Sequence, residues 1–187
     1  IKVIAKWGTV QMNALALSRP SSFYLNSKGV PLTNVYYPVA LAEKFANENI
    51  NSDEPDIICS FNKNHSWYFG TDGNTPSTQY DFVSAVLHEI VHGLGFSGFY
   101  NDNNGSGYIS TTNNLPSIYD YYIFNSTNQQ LADKTVFPSP SASLHEQLTS
   151  NALKFFSPDD EAGNEATPDK IYAPSNWKSG SSIYHLE

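Results

Sequence analysis

The feature that most constrains this chain is the stretch 84–96, which contains the motif His-Glu-x-x-His. On a helix, His88 and His92 are four residues apart, so they project from the same face one turn above the other. This spacing lets two imidazoles bind one metal ion, while Glu89 reaches a metal-bound water as a base. The pattern predicts the metal-binding helix of a zinc-dependent hydrolase.

The same stretch has the periodicity of an amphipathic helix. Its apolar residues follow the i, i+3, i+4, i+7 rule and predict a stripe that faces the core. These residues are Val83, Val86, Leu87, Ile90, Val91 and Leu94. Thr78 followed by Asp81 resembles a capping box, and Gly93 and Gly95 are expected to end the helix. This context favours the metal-binding interpretation over two ordinary surface histidines beside a solvated glutamate.

The composition is that of a globular protein with a real core. The chain has 187 residues, of which 40% are hydrophobic and 14% aromatic. Eighteen acidic against ten basic residues give a formal net charge of −8, without a Lys/Arg cluster. We therefore expect no binding to nucleic acid, and no apolar run is long enough to span a bilayer. We also expect a monomer.

The start of the chain carries neither an initiator Met nor a secretory signal peptide, so we expect a processed fragment or an expressed domain. The bias towards Asn, Ser, Thr, Tyr and Gly favours a secreted, extracellular protein. Cys59 is the only cysteine, so no internal disulfide forms. We expect a small buried strand residue there, the alternative being a thiolate metal ligand.

Patterns along the chain predict a single domain, 1–187, with alternating short elements. We expect strands at 1–10, 56–62, 67–69, 118–124 and 171–172, and a helix at 38–49. The stretch 144–156 is expected to be helical at its start and interrupted at 149–151, and we expect a surface loop at 98–114 and an acidic loop at 159–163. The strand formed by Trp67, Tyr68 and Phe69 comes shortly before the metal helix. We expect it to be an edge strand that binds an extended peptide substrate.

A catalytic zinc takes three protein ligands, and the helix supplies two. In the longer motif His-Glu-x-x-His-x-x-Gly-x-x-His the third ligand would be at position 98, which is Gly98 here. The remaining candidates are His65, His145, His185 and Asp120. We expect His65 in an exposed turn, His145 on a helix surface and Asp120 as a buried carboxylate bonded to backbone groups. His185 is modestly favoured, with Asp120 as the best carboxylate alternative.

A calcium site is a secondary hypothesis. Oxygen-bearing side chains alternate from Asp102 with glycine in the sixth place, as in a calcium loop, but position twelve is Asn113 instead of Glu. A flexible polar loop is the preferred interpretation.

The sequence resembles a group of secreted bacterial zinc proteases whose helix has the form His-Glu-x-x-His-Gly-Leu-Gly-Phe. The matching segments are 67–73, 81–83, 88–96, 171–175 and 181–187, and a looser likeness to matrixin-type metzincins covers the strands before the helix. The resemblance implies an α+β, zincin-like (metzincin-type) catalytic domain, with a small mixed sheet, an active-site helix and a backing helix. It also implies that His185 is the third zinc ligand.

The chain departs from this group near its end. Tyr184 stands where the group commonly has Ser, and the chain stops at Glu187 before a Met-turn-like element. The missing part is expected to have been removed, to come from another chain, or not to be needed.

The leading hypothesis is a zinc endopeptidase in which Glu89 is the general base and Tyr184 assists at the oxyanion. The alternatives are a secreted zinc-containing binding or adhesion module without turnover, and a zinc amidase that acts on a non-peptide amide. Glu89 favours the enzymes, because a structural zinc site does not need an acid beside its first ligand.

Overall fold

The computed structural model describes residues 1–156 and 168–187. The chain divides into two compact units. The first consists of Ile1–Pro31 and Tyr37–Gly95, and the second of Leu32–Tyr36 and Phe96–Glu187. The acidic loop expected at 159–163 lies outside the described residues.

The first unit contains two helices and short strands. The strands are β1 (Val3–Gly8), β2 (Ala16–Pro20), β3 (Phe23–Leu25), β4 (Tyr36–Pro38, which begins at the boundary), β5 (Ile57–Asn62), β6 (Trp67–Tyr68) and β7 (Tyr80–Asp81). The two helices are α1 (Val39–Ala46) and α2 (Phe82–Leu94), and a 3-10 turn spans Gln11–Asn13. The elements expected at 1–10, 38–49, 56–62 and 67–69 are thus present in shorter form.

The main sheet of this unit has the strand order β1-β5-β2. β1 runs parallel to β5, with Val3 opposite Ile57, and β2 runs antiparallel to it, with Ala16 opposite Phe61. Alternate residues of β5 are buried because successive side chains point to opposite faces of a strand. Ile57, Cys59 and Phe61 are the buried set, and helix α2 packs against this strand and β2.

The second unit is built from shorter elements still. They are β8 (Tyr100–Asp102), β9 (Gly107–Ile109), α3 (Ile118–Tyr121), β10 (Ile123–Phe124), α4 (Ala142–Leu148), β11 (Lys154–Phe155) and β12 (Asp169–Lys170). β8 and β9 form a hairpin, and β10, β11 and β12 form an antiparallel sheet. The core of the second unit is a cluster of buried aliphatic and aromatic side chains, among them Ile123, Leu144, Leu148, Ile171 and Ile183.

The predicted zincin-like fold is wrong. It required one small mixed sheet with an active-site helix and a backing helix, whereas the described residues form several separate small sheets of two or three strands. Left-handed backbone positions lie between the short strands and helices or at their ends, and asparagine tolerates this conformation better than most residues. These asparagines are Asn13, Asn26, Asn34, Asn47, Asn104, Asn114, Asn128 and Asn151.

Helices are few in the described part of the chain, at about 19%. α2, with 13 residues, is the longest in the described ranges. Of the helices described, not one has both the length and the apolar character needed to cross a bilayer.

Two local predictions for the second unit are also wrong. The strand expected at 118–124 is a helical turn, α3, followed by the short strand β10. Ser117 and Asp120 form a reciprocal capping box that starts the helix, and this outweighs the β-branched and aromatic character of the segment. The surface loop expected at 98–114 contains the β8–β9 hairpin.

Candidate metal centre

Helix α2 is capped at both ends by its own sequence. The Asp81 carboxylate accepts a hydrogen bond from the Ser84 backbone N–H at 3.0 Å, so Asp81 is the N-cap residue. The capping box expected from Thr78 is therefore wrong. The helix ends at Leu94, and Gly95 is its C-cap residue, with a φ of +135° that glycine adopts readily and other residues only with strain. Gly93, expected to mark the end, lies inside the helix.

The face of α2 that is buried differs from the predicted stripe. Glu89 and Gly93 are its fully buried residues, and Gly93 lies directly against the Ile57 side chain of β5. Most of the predicted stripe is exposed, namely Val83, Leu87, Val91 and Leu94. The predicted burial of the stripe is thus wrong for these four. The helix packs through its smallest residue, because glycine lets it approach the sheet closely.

The structure brings His88 and His92 together on a third face of the helix. Their Nε2 atoms are 3.0 Å apart, and the two rings are nearly perpendicular, at 80°. Two nitrogens bound to one tetrahedral zinc ion are roughly 3.3 Å apart, given zinc–nitrogen bonds of about 2.0–2.1 Å. His88 is exposed and His92 half-buried. Two imidazole nitrogens at this separation can share a metal ion, and the same 3.0 Å also fits a hydrogen bond between the two rings.

Glu89 belongs to the buried face of α2 and is next to His88 in the chain. Its side chain is only 6% exposed, and burial raises the pKa of the carboxyl to about 7. Its Oε2 atom has no hydrogen-bond partner among the described residues. A buried carboxyl oxygen without a partner costs stability, and a buried carboxyl with a raised pKa beside two histidines is a candidate functional group.

Cys59 is the buried strand residue that the sequence predicted. It is 2% exposed, and its Sγ atom is 3.3 Å from the Ser18 hydroxyl. Burial raises the pKa of the thiol, and the nearby Glu89 carboxyl raises it further. These effects disfavour the thiolate, which is the form that binds metal.

His185 lies in the second unit, and its role as the third ligand stays a prediction. Its Nδ1 atom is 2.9 Å from the Ser181 carbonyl oxygen, to which it donates a hydrogen bond. In that tautomer Nε2 is the unprotonated nitrogen. Metal-binding histidines are commonly oriented through the opposite ring nitrogen in this way.

Asp120, the carboxylate alternative, is fully buried among backbone donors. It accepts hydrogen bonds from the N–H groups of Phe99, at 2.8 Å, and Ser117, at 3.0 Å, and from the Tyr184 hydroxyl. Burial raises the pKa of Asp120 to about 6 in spite of these bonds. This is the structural carboxylate that the sequence favoured for this position.

The other two histidines, His65 and His145, each contact residues of their own unit. The Nε2 atom of His65 is 3.3 Å from the Asn13 carbonyl oxygen, and its ring packs against Tyr80. His145 Nδ1 is 2.6 Å from Asp102 Oδ1 and so connects α4 to β8. The sequence did not indicate this pair, because 43 residues separate its members. Asp102 is also the first residue of the hypothetical calcium loop, and calcium binding there stays a prediction.

The three aromatic residues expected to bind substrate have different environments. Trp67 is 8% exposed and donates its indole N–H to the Asn62 carbonyl oxygen at 2.8 Å. Tyr68 donates its hydroxyl to Asp72 Oδ1 at 2.5 Å, and Phe69 is 61% exposed. β6 pairs with β7 on one side. Their role in substrate binding stays a prediction, for which Phe69 has the most accessible side chain.

The SPBPB7E8-like family model matches residues 9–134, roughly two thirds of the chain, and the chain belongs to this family. The matched range includes the whole of α2 with His88, Glu89 and His92, and it ends before α4. No curated protein and no solved structure matches the chain.

Proposed function

We propose that this protein is a zinc-dependent hydrolase that cleaves peptide bonds with a metal-activated water. The observation that carries the proposal is the arrangement on α2. Two imidazole Nε2 atoms 3.0 Å apart lie beside a buried glutamate whose Oε2 has no partner among the described residues. A purely structural metal site has no need of such an acid.

The residues fit a zinc ion in chemistry and spacing. Imidazole nitrogen is a preferred zinc ligand, and a helical i, i+4 pair is a common way to supply two of them. His88 and His92 would hold the ion, and His185 is proposed as the third ligand. When bound, zinc lowers the pKa of a coordinated water to about 7 and polarises a carbonyl oxygen.

Glu89 would act as the general base. It is next to His88 in the chain, so α2 fixes its backbone relative to both ligands. Its carboxylate would accept a proton from the attacking water and donate it to the leaving amine. Burial shields the group from bulk water, which strengthens its interactions with a reacting group. Positioned proton transfer of this kind contributes about 10²- to 10⁴-fold to a rate.

Peptide hydrolysis is the favoured reaction within the class of zinc hydrolases. The helix motif specifies activation of water and leaves the substrate open. The preference for a peptide or protein substrate rests on the resemblance of the segments around α2 to secreted zinc proteases. We propose on the same basis that the protein acts outside the cell.

The test combines zinc analysis with a peptide-cleavage assay on the purified chain. We expect about one zinc per wild-type chain and cleavage of members of a quenched-fluorescence peptide library. Glu89→Gln should keep the zinc and lose cleavage by 10²-fold or more. Glu146→Gln is the matched control, because Glu146 is an exposed glutamate on α4.

The outcomes separate the alternatives. Zinc binding without cleavage of any library member would reject the peptidase and leave the binding module and the amidase for non-peptide amides. Cleavage that is equal in Glu89→Gln and Glu146→Gln would reject Glu89 as the base. A wild-type chain that binds no zinc would overturn the proposal as a whole.

A further inference from the structure

The backbone just before His185 has an unusual conformation. Ile183 has a φ of +77°, in the left-handed region that favours glycine, although it is β-branched and fully buried. Such a residue persists only where its surroundings hold it, and strained positions of this kind concentrate at functional sites. The segment 181–185 is therefore held in a conformation that the chain would not adopt by itself.

Tyr119 of α3 is one of the groups that hold it. Its hydroxyl donates a buried hydrogen bond of 2.8 Å to the Ile183 carbonyl oxygen, across 64 residues of sequence. Burial raises the pKa of the Tyr119 phenol, so the hydroxyl keeps its proton and remains a donor. The Ile183 N–H donates to the Tyr172 carbonyl oxygen at 2.9 Å. Both backbone polar groups of Ile183 are thus engaged.

Tyr184 and His185, the two residues that follow Ile183, are also held by hydrogen bonds. The Tyr172 N–H donates to the His185 carbonyl oxygen at 2.9 Å, which closes a short bridge between the two stretches. The Tyr184 hydroxyl is 3.3 Å from both Asp120 Oδ1 and the Tyr100 carbonyl oxygen. α3 therefore supplies two consecutive side chains, Tyr119 and Asp120, that bind consecutive residues of the segment.

We propose that Tyr119 is a positioning residue for His185. By holding the Ile183 carbonyl in its strained conformation, it fixes the direction in which the His185 ring leaves the backbone two residues later. The inference rests on the proposed function, in which His185 is the third zinc ligand. A mispositioned third ligand would weaken zinc binding even though the imidazole itself is intact.

Tyr119→Phe isolates the role of the hydroxyl. The ring of Tyr119 packs against Phe96 and Phe155 at centroid distances of 4.5 and 5.1 Å, and a phenylalanine keeps these contacts. Removing the hydroxyl leaves the buried Ile183 carbonyl without this donor. Tyr121→Phe is the matched control, since Tyr121 is a half-buried tyrosine of the same helix.

The experiment measures zinc affinity by chelator competition on the full chain, with wild type, Tyr119→Phe, Tyr121→Phe and His185→Ala. We expect Tyr119→Phe to bind zinc about 10- to 100-fold more weakly, the range seen when partners beyond the ligands are removed. Tyr121→Phe should match the wild type. The visible absorption of the Co²⁺-loaded protein should shift in Tyr119→Phe towards that of His185→Ala, which a simple loss of stability would not cause.

Each other outcome is decisive. Equal zinc affinity and equal Co²⁺ spectra in Tyr119→Phe and Tyr121→Phe would overturn the inference while the zinc site stands. So would unchanged zinc affinity in His185→Ala. A wild-type chain without zinc would overturn the proposed function and, with it, the inference. If Tyr119→Phe does not fold, 4-fluorophenylalanine at position 119 fills the space of the hydroxyl without donating a hydrogen bond, and an unchanged zinc affinity in that variant would overturn the inference.

Discussion

Gly98 lies so close to Asp120 that a β-carbon at position 98 would overlap the Asp120 carboxylate. Position 98 is where the longer zinc motif carries its third histidine. The chain instead uses this position to bring its backbone against a buried carboxylate, which accepts the N–H of the next residue, Phe99, at 2.8 Å. A histidine at position 98 is thus incompatible with this packing. In the proposed zinc site, the third ligand would therefore come from elsewhere in the sequence.

Gly98→Ala should lower the free energy of unfolding by about 1–3 kcal/mol, because the new methyl group must displace the Asp120 carboxylate. Denaturant unfolding measures the change. Gly8→Ala is the control, since a β-carbon at Gly8 meets no atom of the described residues within 4 Å. Its effect should stay within about 0.5 kcal/mol. Equal effects for the two variants would contradict the overlap at position 98.

The buried Asp120 carboxyl should make stability fall as pH rises from about 4 to about 6. Its pKa is about 6 in the folded chain against an ordinary value of 3.8, so the folded state binds more protons over this range. The contribution is fully present below the ordinary pKa and is lost as pH rises through about 6. A shift of about two units corresponds to a change on the order of 3 kcal/mol between these limits.

Asp120→Asn removes this titration, so the stability of the wild type relative to the variant should decrease with pH. Denaturant unfolding of both proteins from pH 3.5 to 7.5 would check this. Asp133→Asn is a control in which stability should change with pH in the opposite direction, because hydrogen bonds from Thr135 lower the pKa of the exposed Asp133. A relative stability that increases with pH for Asp120 would show that its hydrogen bonds outweigh its burial.

His92→Ala should abolish the stabilisation of the chain by zinc. A ligand that binds only the folded state adds about 2.7 kcal/mol at a concentration 100-fold above its Kd. The melting temperature of the wild type should therefore rise with added zinc, and that of the variant should not. His65→Ala is the control, because His65 contacts Asn13 and Tyr80. An equal response in His92→Ala would exclude His92 as a ligand.

Leu87→Ala should change stability by less than about 0.5 kcal/mol, although the helical periodicity places Leu87 in the predicted core stripe. Leu87 is 60% exposed. Leu148→Ala, at a fully buried leucine of α4, should cost about 2–5 kcal/mol. Urea unfolding of the two variants compares them directly. A cost for Leu87→Ala similar to that for Leu148→Ala would mean that this face of α2 is covered in solution.

Local features were predictable where the determining residues are close in sequence. The i, i+4 spacing of His88 and His92 depends only on helical geometry, and the structure places their nitrogens 3.0 Å apart. The strand at 57–62 followed from its β-branched and aromatic residues. The helical turn at Ile118 was missed because the reciprocal capping bonds of Ser117 and Asp120 outweigh strand propensity there.

By itself the sequence determined the pair of histidines four residues apart, the glutamate beside the first of them and the helix that carries all three. Only the tertiary structure decided which face of that helix is buried. The periodicity predicted that the apolar stripe faces the core, whereas in the structure the helix packs with Gly93 against the Ile57 side chain. The tertiary structure also decided that the sheets are small and separate, that Asp120 binds backbone groups, and that Asp102 pairs with His145. These outcomes depend on contacts between residues far apart in the chain, whose energies no local pattern encodes.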